Sequence, residues 1–169
     1  MIDQSRFPVN AFRQKNAECM AASLGTALHP FIKKPVQEVV DTVLRCLSSN
    51  PNQSGYDHLT SIFNHCAESL FVDVRKLVQL EQLKGLAGLD EILLKEEATA
   101  IVALSFPCTR PPHSVCLSNN GKEFVLHDSA NPRINANSDG VGASVAEALT
   151  HVPTNGVAGD VIVFRAISI

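Results

Sequence analysis

The stretch HSVCLSNNGKEFVLHD, residues 113–128, decides how this chain folds. Its two ends are short, apolar runs rich in branched side chains, the mark of β-strands. Asn119-Asn120-Gly121 lies between them, and Asn-Gly accepts the positive φ that a tight turn requires. The segment therefore reads as a β-hairpin. Antiparallel pairing brings the far ends of the two strands together, and those ends carry His113 and Asp128, 15 positions apart. A carboxylate beside an imidazole fixes its tautomer and stabilises its charged form. Asn131, three residues further on, is the other acceptor within reach of His113. Strand alternation turns His127 away from Asp128, and Cys116 away from His113.

Working outward, TAIVALS (99–105) and DVIVF (160–164) have the same strand texture, and LFVDV (70–74) is a further short candidate. The N-terminal half reads differently. Residues 1–16 form an extended lead-in. CMAASLGTAL (19–28) is rich in helix formers, with Asn16 as its cap and Pro30 as its stop. PVQEVVDTVLRCL (35–47) places Val36, Val39, Val40, Val43, Leu44 and Leu47 on one helical face behind a first-turn proline. SSNPNQSG (48–55) is a loop, and helical spacing resumes from Tyr56 to Ser69 through Leu59, Ile62, Phe63 and Cys66. The Leu-rich run from Gln79 to Glu97 reads as one helix broken at Gly85 and Gly88, and a short helix falls between Gly142 and Leu149. Helices come first and an antiparallel sheet follows. That order predicts an α+β fold, with one domain over residues 1–169.

Composition narrows the function classes. Apolar residues make up 45% and charged residues 18%, which excludes a disordered chain. A net charge of -3 lacks the basic stripe that nucleic-acid binding needs. No apolar run approaches the length of a membrane span, and MIDQSR at the start lacks the apolar core of a signal peptide. Five cysteines, an odd number without a CxxC pair, predict a reducing compartment such as the cytoplasm rather than a disulfide framework. A protein injected into the cytoplasm of a host cell by a specialised secretion system would show the same features.

Cys19 stands at the start of the first helix, where unpaired N–H groups and the helix dipole favour a thiolate, the nucleophilic form. Gln14, five residues upstream, can place a side-chain amide over that helix start and, with the Cys19 N–H, hold the oxyanion of an acyl transfer. Each residue alone also has an ordinary structural reading. Cys19 is a small core side chain, Gln14 an exposed loop amide, His113 a strand-edge polar group and Asp128 a turn former. Together, in the order cysteine, histidine, acid, they fit covalent catalysis without metal or organic cofactor. Cys108, in a loop, is the alternative nucleophile. A metal site from Cys46, His58, His65 and Cys66 lacks the paired ligand spacing of zinc sites.

FRQKNAECMAASLGTAL (12–28) resembles the first helix of Josephin-type cysteine proteases, deubiquitinases with a papain-like fold. In that family a glutamine precedes the catalytic cysteine by five residues, as Gln14 precedes Cys19. PHSVCLSNNGKEFVLHDSANP (112–132) is similar to the hairpin that carries the family's histidine and third catalytic residue. SGYDHLTSIFNHCAESLFVDV (54–74) and GASVAEALTHVPTNGVAGDVIVF (142–164) are similar to its central segment and final strand. The resemblance implies a papain-like fold, with Cys19, His113, Asp128 and Gln14 acting after the Gly-Gly tail of ubiquitin or a ubiquitin-like protein. It also implies a helical arm over that tail near residues 35–53. Two positions depart from the pattern. Ser114 stands where an aromatic residue usually follows the histidine, and Asp128 where asparagine is common. Other papain-like groups share the motif, including double-glycine leader peptidases. The alternatives are thus cleavage of a leader or other non-ubiquitin peptide, or a catalytically inactive ubiquitin-binding module.

Overall fold

The structure, a computed structural model, describes residues 9–10, 12, 19–48, 63–64, 66–67, 70, 73–106, 113–130, 140–152 and 156–167. Two helices come first, α1 (Cys19–Ile32) and α2 (Val36–Ser48). A 3-10 turn (Val74–Lys76) leads into β1 (Val78–Leu83), followed by α3 (Leu89–Lys95), β2 (Ala98–Ser105), β3 (His113–Asn119) and β4 (Phe124–His127). β5 (Gly140–Gly142), α4 (Val145–Leu149) and β6 (Val157–Ala166) complete the order. The strands form a six-stranded sheet in the order β1-β6-β2-β3-β4-β5, with every neighbouring pair antiparallel. Helices and an antiparallel sheet in one packed unit make this the α+β architecture that the sequence predicts.

Strand alternation separates two cores. Ile101, Cys116, Ile162 and Phe164 meet Leu24 and Leu28 of α1 and Val39 and Val43 of α2 on one face. Val102, Val115, Leu117, Val161 and Val163 meet Leu89 and Leu93 of α3 and Val145 and Ala148 of α4 on the other. Both faces of the central strands are covered, which is why TAIVALS and DVIVF are almost continuously apolar. The Thr99 hydroxyl, inside this apolar run, donates to the Ala27 carbonyl at 2.9 Å and pins α1 to β2.

Three local expectations need correction. Pro30 does not stop α1, which runs on to Ile32. Proline forfeits a single N–H, and burial of Phe31 and Ile32 outweighs that loss. The helix ends instead at Lys33, whose backbone takes φ 60° while its N–H donates to the His29 carbonyl at 2.9 Å. Gln79–Glu97 is not one broken helix but β1, a turn and α3. Leucine, glutamine and glutamate suggest helix, yet pairing with β6 holds residues 78–83 extended. In the 70–74 segment, Asp73 and Val74 are not in a strand: Asp73 caps the 3-10 turn by accepting the Arg75 N–H at 3.1 Å. The helix expected over 56–69 lies mostly outside the described residues, although Phe63, Asn64 and Cys66 are helical.

The hairpin forms in the expected register, with Asn119 paired to Phe124. Its turn is a four-residue loop, Asn120–Glu123, in which Gly121 takes φ 93° and the Asn120 side chain accepts the N–H groups of Lys122 and Glu123.

Where α1 crosses α2, a Cβ added to Gly25 would lie 2.9 Å from the Val40 Cα. Gly→Ala inside a helix ordinarily stabilises by about 1 kcal/mol through propensity. Here the obstacle is backbone that cannot rotate away, so overpacking wins. Gly25→Ala is expected to lower stability by about 1–3 kcal/mol, read as a lower urea midpoint.

His29, 4% exposed, accepts the Asn10 N–H on Nε2 at 2.9 Å, which leaves the proton on Nδ1, 3.3 Å from the Lys34 carbonyl. Burial pushes its pKa down from 6.5 to about 4, against a smaller opposing effect of the Lys34 carbonyl. The unfolded chain thus takes up a proton first as the pH falls, and stability drains between pH 6.5 and about 4. His29→Gln should show a shallower loss of the urea midpoint across that window than the unsubstituted protein.

Candidate active site

Three distant pieces of chain meet at the N-terminal end of α1. Cys19 is its first residue, half-buried. His113 opens β3, and Asp128 follows the last residue of β4. The hairpin register makes His113 and Asp128 diagonal neighbours, and His113 Nε2 lies 2.6 Å from Asp128 Oδ1. The His113 side chain is 11% exposed and that of Asp128 3%. In so dry a place the carboxylate requires compensation, which the imidazole and the Ala130 N–H, 3.1 Å from the same oxygen, provide.

With Nε2 engaged by Asp128, Nδ1 is the ring nitrogen left to meet the thiol, and His113 and Cys19 share a hydrogen bond. Burial alone would push the Cys19 thiol up. Hydrogen bonds from His113 and from Ser114 outweigh burial and hold it below its ordinary 9.0. Burial alone would likewise push His113 down. The bond to Asp128, then that to Cys19, overcomes it and raises the imidazole from 6.5 to about 9. Both shifts act in favour of the same state, a thiolate facing an imidazolium, in which each charge satisfies the other.

The structure thus brings together Cys19, His113 and Asp128. Gln14, Asn131 and Cys108 lie outside the described residues, as do His58 and His65. Of the cysteines and histidines weighed as metal ligands, Cys46 and Cys66 are neighbours whose side chains share a hydrogen bond, and burial pushes the Cys66 thiol up to about 12. Among the described residues no group of three or more potential ligands could hold a metal ion. His127 faces away from the trio and pairs with the Ser118 hydroxyl at 2.9 Å. Cys116 is fully buried under α1, and burial pushes its thiol far up.

Two residues at this junction escaped the sequence reading. The Ser114 hydroxyl lies 3.1 Å from the Cys19 carbonyl and 3.2 Å from the Ser23 hydroxyl, while Ser23 Oγ donates to the Ser114 carbonyl at 3.0 Å. Ser23, four residues after Cys19, sits one turn along the same helical face. Their signal was there to find: each is a lone hydroxyl in an otherwise apolar run, CMAASLG and HSVCL.

No family pattern matches the chain, and no curated protein does. Among solved structures, the Pseudomonas avirulence protein AvrPphB is similar at 15% identity and a TM-score of 0.43, over 97% of this chain and 99% of that one.

Asp128→Asn keeps the shape of the site and removes its charge. Alkylation of Cys19 by iodoacetamide should set in at lower pH than for an ordinary thiol and level off in the unsubstituted protein, then rise again as the imidazolium deprotonates near pH 9. In Asp128→Asn the imidazole should titrate at lower pH, the plateau should shrink, and alkylation near pH 6 should slow by about tenfold.

Proposed function

We propose that this chain is a cysteine protease in which Cys19 is the nucleophile, His113 the proton carrier and Asp128 the group that orients His113. The observation that carries this reading is the buried 2.6 Å contact between Asp128 and the far side of the imidazole that meets Cys19. Pairing Nε2 with Asp128 commits the other nitrogen to the thiol and supports a charged ring.

The thiolate attacks the scissile carbonyl, forming a carbon–sulfur bond and an oxyanion. The Cys19 N–H, with the Gln14 amide that the sequence assigns to the same task, holds that oxyanion. The imidazolium gives its proton to the leaving amine as the carbon–nitrogen bond breaks. Neutral His113 then draws a proton from water, which attacks the thioester and releases the acid, and the thiolate–imidazolium pair is restored. No step calls for a metal or organic cofactor. The thiolate must remain reduced, which suits a cytoplasmic setting, the chain's own or that of a host cell.

The substrate we propose is ubiquitin or a ubiquitin-like protein, cleaved after its C-terminal Gly-Gly. The support is the Josephin-like spacing of Gln14, Cys19, His113 and Asp128. A second reading keeps the chemistry and changes the substrate to a leader or other peptide. It is favoured by Ser114, a buried hydroxyl tied to α1 where the Josephin pattern carries an aromatic residue.

A ubiquitin probe ending in a thiol-trapping warhead separates these readings. The expected result is a covalent adduct that Cys19→Ala abolishes and His113→Ala slows by about 100-fold or more. A folded, reduced protein that forms no adduct would overturn the ubiquitin assignment. Cys19-dependent turnover of a peptide library would then support the second reading.

A further inference from the structure

Resting on the reading of Cys19 as a nucleophile, we infer that the Ser114 hydroxyl, seated by Ser23, is a positioning and charge-stabilising donor for the Cys19 sulfur. It turns from the Cys19 carbonyl to the sulfur when the thiolate forms.

A serine hydroxyl has one proton to give. Ser114 Oγ lies 3.1 Å from the Cys19 carbonyl oxygen and 3.2 Å from Ser23 Oγ, and it is also within hydrogen-bond reach of the Cys19 sulfur. The proton of Ser23 is committed, since its hydroxyl donates to the Ser114 carbonyl at 3.0 Å. Ser23 Oγ can therefore only accept from Ser114. Both serines are 2% exposed, so water is a poor competitor for either hydroxyl. Ser114 thus has one mobile proton and three acceptors of unequal strength. Two are neutral oxygens, and the third, the sulfur, becomes an anion. Hydrogen bonds to a charged acceptor are about twice as strong as neutral ones, so ionisation of Cys19 draws the hydroxyl to the sulfur.

The backbone reinforces this. The β3–β4 ladder runs only as far as Cys116, so Ser114 lies beyond it, and its N–H also reaches the Cys19 sulfur. His113 supplies the charge on one side of the thiolate, and Ser114 supplies a backbone N–H and a hydroxyl that can turn to it on another. The reciprocal Ser23–Ser114 pair holds α1 at the distance where both act at once. A phenylalanine or tryptophan at position 114 has no hydroxyl with which to close this pair.

Ser114→Ala removes the hydroxyl and keeps the N–H. The measurement is the rate of Cys19 alkylation by iodoacetamide from pH 4 to 10, with the modified cysteine located by mass spectrometry and folding checked by circular dichroism. Because no substrate is involved, it is independent of the proteolytic assignment. The expected result is an ionisation midpoint about one pH unit higher, hence about tenfold slower alkylation near pH 5, with rates converging at high pH. Ser114→Thr, which restores the hydroxyl, should recover most of the shift. If Ser114→Ala does not fold, Ser23→Ala tests the same seat, and its midpoint should rise in the same direction by about threefold in rate. A merely structural role would lower the unfolding midpoint and leave the titration where it was. An unchanged titration in the folded variant, with the unsubstituted Cys19 still reactive near pH 5, would overturn the inference and leave the nucleophile reading intact. A Cys19 that titrates as an ordinary thiol in the unsubstituted protein would overturn both.

Discussion

The docking of α1 on the sheet is the constraint on which the site depends. Cys19 is separated from His113 by α2, β1, α3 and β2, and no local preference brings them together. What does so is a seam of buried hydrogen bonds between α1 and the strands: Thr99 to the Ala27 carbonyl on β2, and the Ser23–Ser114 pair on β3. An apolar interface alone tolerates sliding, because its attraction is non-directional. Buried polar contacts do not, since a shift of an ångström strands each donor without water to replace its partner. The apolar side chains of α1, Leu24 and Leu28 among them, supply adhesion, and the hydroxyls fix where along the strand it is applied.

Much of this was readable in advance, for physical reasons that differ from element to element. The β3–β4 hairpin was legible because alternation, turn residues and register are all local, and register alone made His113 and Asp128 neighbours. α2 was legible from its one-sided valines. β1 was not, because VQLEQL suits a helix and becomes a strand only through β6, whose residues come more than 70 positions later. The end of α1 was misjudged because proline's cost is local while the burial of Phe31 and Ile32 is not. At the site, the trio could be guessed from chemical type and order. The serines could not, since a hydroxyl in an apolar run announces a partner without saying which.

The electrostatics of the trio follow from opposed tendencies. Burial resists charge on both Cys19 and His113, so neither would ionise alone. Moving the proton from sulfur to nitrogen creates two charges that compensate one another, with Asp128 behind the ring to favour the transfer. The site is therefore poised by its charges acting against its dryness. Admitting water would relieve the burial that opposes each charge while weakening the attraction between them.

The place of β6 has a consequence for how the protein is made. This strand is the latest of the six in sequence, yet it sits between β1 and β2. A nascent chain that has emerged from the ribosome only as far as α4 has no strand to join β1 to the rest of the sheet, and both cores lack their Val161–Phe164 contribution. α1 then has an incomplete surface to dock on, and Cys19 waits without a settled distance to His113. Such long-range closure is slow compared with local helix formation. A chain assembled in this order brings Cys19 and His113 to their final spacing only after β6 has joined the sheet, so topology alone times the completion of the site.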